Sequence, residues 1–196
     1  MTLAPASVGT PARDATAPSR ARQLANFVLF EAAWFACIGG VAHGEPAWGT
    51  AAVGAAIAWH LAISARPATE LALAAILGAI GLVAESLVLA QGHVVYPDGQ
   101  PLPWLAPYWM VALWAELGMA LNVTLRWLKR KPLLAAVLGA VVGPLSFLGG
   151  VRLGGARFVG EPAALVTLAI EWALLMPLVM WISDRFDGVA APTDHA

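Results

Sequence analysis

Cysteine is almost missing from this chain: Cys37 stands alone among 196 residues. A single thiol excludes an intrachain disulfide and any metal or cluster site built from several cysteines. Charge is scarce as well. Asp, Glu, Lys and Arg make up 12% of the chain, against about 25% in ordinary soluble domains. The only basic run is Lys129-Arg130-Lys131, and without a basic stripe nucleic-acid binding is not expected. There are four histidines, and no HxxH, HxxxH or ExxH spacing occurs, so neither a zinc-protease site nor a di-iron site is expected. No cofactor or metal is implied.

What fills the space is apolar sequence, 60% of the chain. It comes in runs near the length of about 20 residues that crosses a bilayer as a helix. Six spans are predicted, at about 24–42, 47–64, 71–90, 104–128, 132–153 and 162–182. The expected fold is all-α, a polytopic six-helix transmembrane bundle over 23–185. Residues 1–22 and 186–196 read as tails, because the first is rich in Ala, Pro, Ser and Thr and lacks aromatics. The connections are too short for a soluble domain. Arg13, Arg20, Arg22, Arg66, Arg126, Lys129, Arg130, Lys131 and Arg185 fall on one side, Arg152 and Arg157 on the other. By the positive-inside rule both termini are cytoplasmic. Trp48, Trp104, Tyr108 and Trp109 then belong to the outer interface, and Trp59, Trp127 and Trp181 to the inner. Tyr96-Pro97-Asp98-Gly99 in the outer loop is a turn sequence.

Four glutamates lie inside apolar runs: Glu31, Glu85, Glu116 and Glu171. An acid at membrane depth costs about 2.5–3.5 kcal/mol on insertion scales and normally faces the bundle interior. No Lys or Arg lies at that depth to pair with them. With His60 and Asn122 they form the candidate intramembrane polar cluster. Each acid reads either as structural glue hydrogen-bonded to a neighbouring helix or as part of a proton relay or substrate cavity. Glu31 to Glu85 and Glu116 to Glu171 are nearly equal intervals, the pattern of an inverted repeat of three spans.

The fifth span carries Gly139, Gly143, Ser146, Gly150 and Gly154 three or four residues apart, with Pro144 between them. Such a stripe lets helix backbones approach closely in a membrane. It reads as the helix that the others press against, and as a surface for a membrane-protein partner.

Three stretches resemble a family of uncharacterised bacterial membrane proteins, the domain of unknown function 2878 family. They are Trp34-Phe35-Ala36-Cys37; Leu113-Trp114 with Leu121-Asn122 and Leu125-Arg126-Trp127-Leu128; and Gly143-Pro144-Leu145-Ser146-Phe147 with Gly150 and Arg152-Leu153-Gly154. The resemblance spans about 24–185. The chain departs from the family pattern at Val142, where a glycine is usual, at Phe147 for Tyr, at Glu85 for Asp, and at Glu116, where no acid is usual. The family has no established activity, so no functional residue is carried over. Its members are often encoded near lipid-modifying enzymes, and this implies lipid chemistry. The expectation is a multi-pass protein of the bacterial inner membrane that meets membrane lipid. The favoured reading is a proton-coupled transporter or flippase of a lipid or apolar small molecule. The alternative is a membrane-embedded enzyme or accessory subunit in acyl-chain modification.

Overall fold

The structure, a computed structural model, describes residues 18–189. The first 17 residues of the expected amino-terminal tail and the last seven of the chain lie outside them. Six α-helices account for most of the described chain: α1 Arg20–Ala42, α2 Pro46–Ala62, α3 Pro67–Ala90, α4 Tyr108–Asn122, α5 Pro132–Arg152 and α6 Glu161–Arg185. A 3-10 turn, Arg126–Leu128, separates α4 from α5. Two short strands, β1 Val94–Val95 and β2 Arg157–Phe158, pair antiparallel at one end of the bundle. We call this the loop end, and the opposite one, where α1 begins and α6 finishes, the terminal end.

Helix starts follow local chemistry. Pro46, Pro67, Pro132 and Pro162 all sit in the first turn of their helices, where the missing N–H is no loss. Ser19 caps α1, accepting from the Arg22 backbone N–H at 3.2 Å. Pro144 and Pro177 lie inside α5 and α6 without ending them.

Four helices, α1, α3, α5 and α6, are long and apolar enough to cross a membrane. The chain is therefore a helical, membrane-embedded protein. The predicted fourth span shrinks from 104–128 to fifteen helical residues, about 22 Å at 1.5 Å per residue. Pro101, Pro103 and Pro107 delay its start, since proline lacks an N–H and restricts the residue before it. Its far end is cut where Lys129 turns back to bond Asn122 Oδ1 at 2.7 Å.

That short helix is the centre of the molecule. Ten of its fifteen residues are buried, Trp109, Trp114, Glu116 and Asn122 among them. It packs on α1, α2, α3 and α6. The expectation that the fifth span is central is corrected accordingly. α5 is peripheral, with Leu133, Val137, Val141, Val142 and Leu145 exposed, and its main partner is α6. Trp109, at the start of α4, is fully buried within the protein.

The hairpins α3–α4 and α5–α6 share a construction. A Cβ at Gly81 of α3 would collide with the indole of Trp114 of α4, and a Cβ at Gly143 of α5 with that of Trp172 of α6. The two indoles stack on each other, centroids 4.9 Å apart and planes at 19°. Each hairpin also contributes one of the paired strands. This replaces the inverted repeat suggested by glutamate spacing. That repeat would pack α4 on α5 as α1 packs on α2, yet α1 and α2 are intimate and α4 and α5 barely touch.

The carboxyl-terminal boundary also moves. Phe186 to Val189 fold back onto the terminal end. The Arg66 backbone N–H donates to Gly188 O at 2.9 Å, and Gly188 and Val189 are buried.

Candidate functional site

α1 and α5 approach each other at the loop end and part toward the terminal end. Gly150 and Gly155 lie beside Ile38, Gly154 beside Ala42 and Gly149 beside Trp34. Further along, the helices separate and leave a groove of about 630 Å³. Phe27, Phe30, Glu31 and Trp34 form its α1 wall, and Leu138, Val142 and Ser146 its α5 wall. Leu117 and Ala120 of α4 form the floor, with Trp172 and Met176 of α6 behind. Thr124, Trp127 and Leu128 border its terminal end. The glycine and serine positions of α5 explain the space. Gly139 and Gly143 are filled from behind by α6, while Ser146 and Gly149 leave room in front.

At its closed end the groove meets a smaller cavity of about 100 Å³. Phe30, Trp34, Leu117, Ser146 and Trp172 line both. Glu85 is the acid of the inner cavity and Glu31 that of the groove. Everything else around the two spaces is apolar or a small hydroxyl. Such lining suits an apolar chain more than a polar solute.

The candidate residues divide among three places. Glu85 is fully buried. It accepts from the Tyr96 hydroxyl at 2.6 Å and from Trp114 Nε1 at 2.8 Å. Tyr96 arrives from the turn at the loop end, which is itself pinned: Trp109 Nε1 donates to Asp98 O at 3.0 Å, and Gly99 N to Asp98 Oδ1 at 2.6 Å. The turn is thus a fixed cover over Glu85. Glu171 lies near enough for its charge to act on Glu85, and its Oε2 is buried without a partner among the described residues.

Glu31 and Glu116 form the second place. Their charges act on each other, and Glu116 also acts on Cys37 of α1. Glu116 is fully buried, and neither of its oxygens has a hydrogen-bond partner among the described residues. A polar group buried in that state costs about 1–3 kcal/mol. This is hard to explain as structural glue.

His60 and Asn122 belong to a third place, away from the groove. They are joined by Glu70, which sequence reasoning left in a loop. Glu70 Oε2 meets His60 Nε2 at 2.8 Å, and Oε1 accepts from Asn122 Nδ2 at 2.8 Å and from the Gly188 backbone N–H. Lys129 Nζ continues the network to Asn122 Oδ1, to Asp187 Oδ2 at 2.9 Å and to Ser183 O at 3.2 Å. Arg126 also pairs with Asp187. Burial pushes the Asp187 carboxyl up, but its hydrogen bond from Lys129 and the charges of Lys129 and Arg126 outweigh that and hold it below its ordinary value. Burial lowers Lys129, and its bond to Asp187 restores only part of the loss. The pair fixes position more than it adds stability. His60 is bonded to Glu70 and lines neither the groove nor the inner cavity.

Among the described residues no three of His, Cys, Asp and Glu gather to hold a metal ion. The signal for Glu70 was present: Pro67 starts a helix, and an acid in its first turn suits the helix dipole. Tyr96 as a partner of Glu85 had no signal beyond the turn that carries it.

No curated protein and no solved structure matches the chain. The family model described as "Protein of unknown function (DUF2878)" matches residues 23–178, and the chain belongs to that family.

Proposed function

We propose that this member of the DUF2878 family is a six-span protein with both termini in the cytoplasm, and that it moves a lipid or apolar metabolite through the α1–α5 groove in exchange for protons. Arg20, Arg22, Arg66, Arg126, Lys129, Arg130, Lys131 and Arg185 at the terminal end, against Arg152 and Arg157 at the loop end, support that orientation. α2 and α4 are shorter than the hydrocarbon core of about 30 Å. The pinned loop at one end of α4 and the 3-10 turn at the other make up its length.

The observation that carries the reading is a side-facing apolar groove with an acid in its wall. Val142 and Leu145 at its lip are exposed, so a chain can enter from lipid without crossing water. Among the described residues Glu31 has no ion pair, and Glu116, whose own oxygens have no partner, lies near enough for the two charges to act on each other. Two negative charges together at membrane depth are costly. Proton uptake or release at this pair would couple proton movement to a passenger.

Flipping of a fluorescent phospholipid in proteoliposomes under an imposed pH gradient tests this. The protein is expected to accelerate flipping in a gradient-dependent way, and Glu31→Gln to lower the rate at least about tenfold. Absence of any acceleration by the unaltered protein would remove the transport reading. The alternative, an enzyme acting on acyl chains, is favoured by the cavity at Glu85. It predicts a mass change in lipid incubated with the protein, abolished by Glu85→Gln.

A further inference from the structure

We propose that the occupant of the α1–α5 groove is an anionic phospholipid, one acyl chain lying in the groove and the phosphate held at Arg130 and Lys131. This rests on the groove reading above and names the class of molecule it takes.

The terminal end of the groove has an aromatic border. Trp127 is part of the lining there and is half exposed. Lys131 holds its Nζ 5.5 Å from the centre of the Trp127 ring, so an ammonium stands over the rim of an apolar slot. Arg130 precedes it, exposed and in a left-handed conformation with φ 62°. That conformation is uncommon for a residue with a side chain. It lets the tight turn into α5 carry two consecutive exposed cations.

Neighbouring acids do not neutralise this pair. Asp187 is engaged by Lys129 and Arg126, and Asp184 lies 3.9 Å from Lys129. Among the described residues neither Arg130 nor Lys131 meets a carboxylate within 4.0 Å. Lys131 stands at the rim beside Trp127 and Arg130 adjoins it in the chain; a wholly apolar passenger would pair with neither cation. A zwitterionic headgroup would bring a positive charge beside them. A phosphate with no compensating cation fits. The slot behind it is apolar up to Glu31, which suits a chain.

The test measures lipid retained by protein purified from mixed vesicles of phosphatidylglycerol and phosphatidylcholine, counted by native mass spectrometry. The unaltered protein should retain phosphatidylglycerol over phosphatidylcholine by about fivefold or more, the effect of one or two cations at a membrane surface. The double variant Arg130→Asn, Lys131→Gln should keep its bound lipid but lose that preference; asparagine tolerates the left-handed backbone at the first position. Ser146→Phe, which places a ring in the groove from an exposed position, should lose bound lipid of both classes. A preference unchanged in the double variant would overturn the headgroup assignment and leave the groove standing. Lipid retention unchanged in Ser146→Phe would overturn the groove itself. Soluble glycerol phosphate, added as a competitor, should not displace the lipid; displacement would mean that the cations bind free phosphate without regard to the chain.

Discussion

Glu70 takes hydrogen bonds from three separate segments, α2 through His60, α4 through Asn122 and the carboxyl-terminal turn through Gly188. Replacing it with alanine takes the partner from His60 Nε2 and from the Gly188 N–H, and leaves Asn122 Nδ2 only its bond to Phe186 O. Glu70→Ala is expected to lower stability by about 3–5 kcal/mol, the usual effect of breaking a buried pair. Glu70→Gln retains an acceptor for Asn122 and Gly188 and should lose less than half of that. Melting followed by circular dichroism in detergent reads both. Asp187 adds a pH dependence. Its carboxyl lies below the ordinary value in the folded protein, so its contribution is complete above about pH 4, the unfolded value, and is lost as pH falls through the lower folded value. Between pH 6 and pH 3 the melting temperature should drop further in the unaltered protein than in Asp187→Asn. An equal drop would mean that Asp187 is not the titrating group. At this scale the sequence was partly readable. That the buried acids face inward follows from the cost of charge in lipid. Which neighbours they meet does not, because Tyr96 and Gly188 reach Glu85 and Glu70 from loops whose course no periodicity describes.

At the scale of the helix, hydropathy separates helices from loops but does not separate a helix facing lipid from one enclosed by other helices. Both are apolar. α4 is the example: it reads as one more span, yet the other helices surround it. Its content of two tryptophans, Glu116 and Asn122 was the available hint, since such side chains are costly against lipid. The small-residue stripe of α5 was visible from spacing alone. Its partners were not, and prove to be α6 at Gly139 and Gly143, through Trp172 and Met176, and α1 at Gly150 and Gly154, through Ile38 and Ala42. Gly143→Val should force the Trp172 indole out of its seat against α5. Overpacking of this kind costs about 1–3 kcal/mol. It should also weaken the near-ultraviolet dichroism of the stacked Trp114–Trp172 pair. Retention of that signal in the variant would show that α5 yields instead of the tryptophan.

For the whole molecule, membrane embedding and an all-helical fold follow from run length and charge scarcity. The groove does not. It depends on α1 and α5, distant in sequence, meeting at Gly149 to Gly155 and parting below, and no local pattern encodes a divergence between two helices. The four acids that look like one cluster in sequence act on each other as two pairs, Glu31 with Glu116 and Glu85 with Glu171, and one of each pair lines a space, Glu31 the groove and Glu85 the inner cavity. His60 stands apart in a closed network that ties the terminal end together. The separation gives each half of the protein a distinct part: a braced terminal end, and a slot that opens beside it toward lipid.

The claim that most of this rests on is that an acyl chain occupies that slot. Photocrosslinking with a phospholipid carrying a diazirine along one chain, followed by peptide mapping of the adducts, addresses it directly. Adducts are expected to concentrate on Phe27, Phe30 and Trp34 of α1 and on Val142, Leu145 and Ser146 of α5. Adducts spread evenly over the exposed faces, with Leu71, Val83 and Leu87 of α3 or Val166, Ile170 and Leu174 of α6 labelled as strongly as the slot, would contradict it.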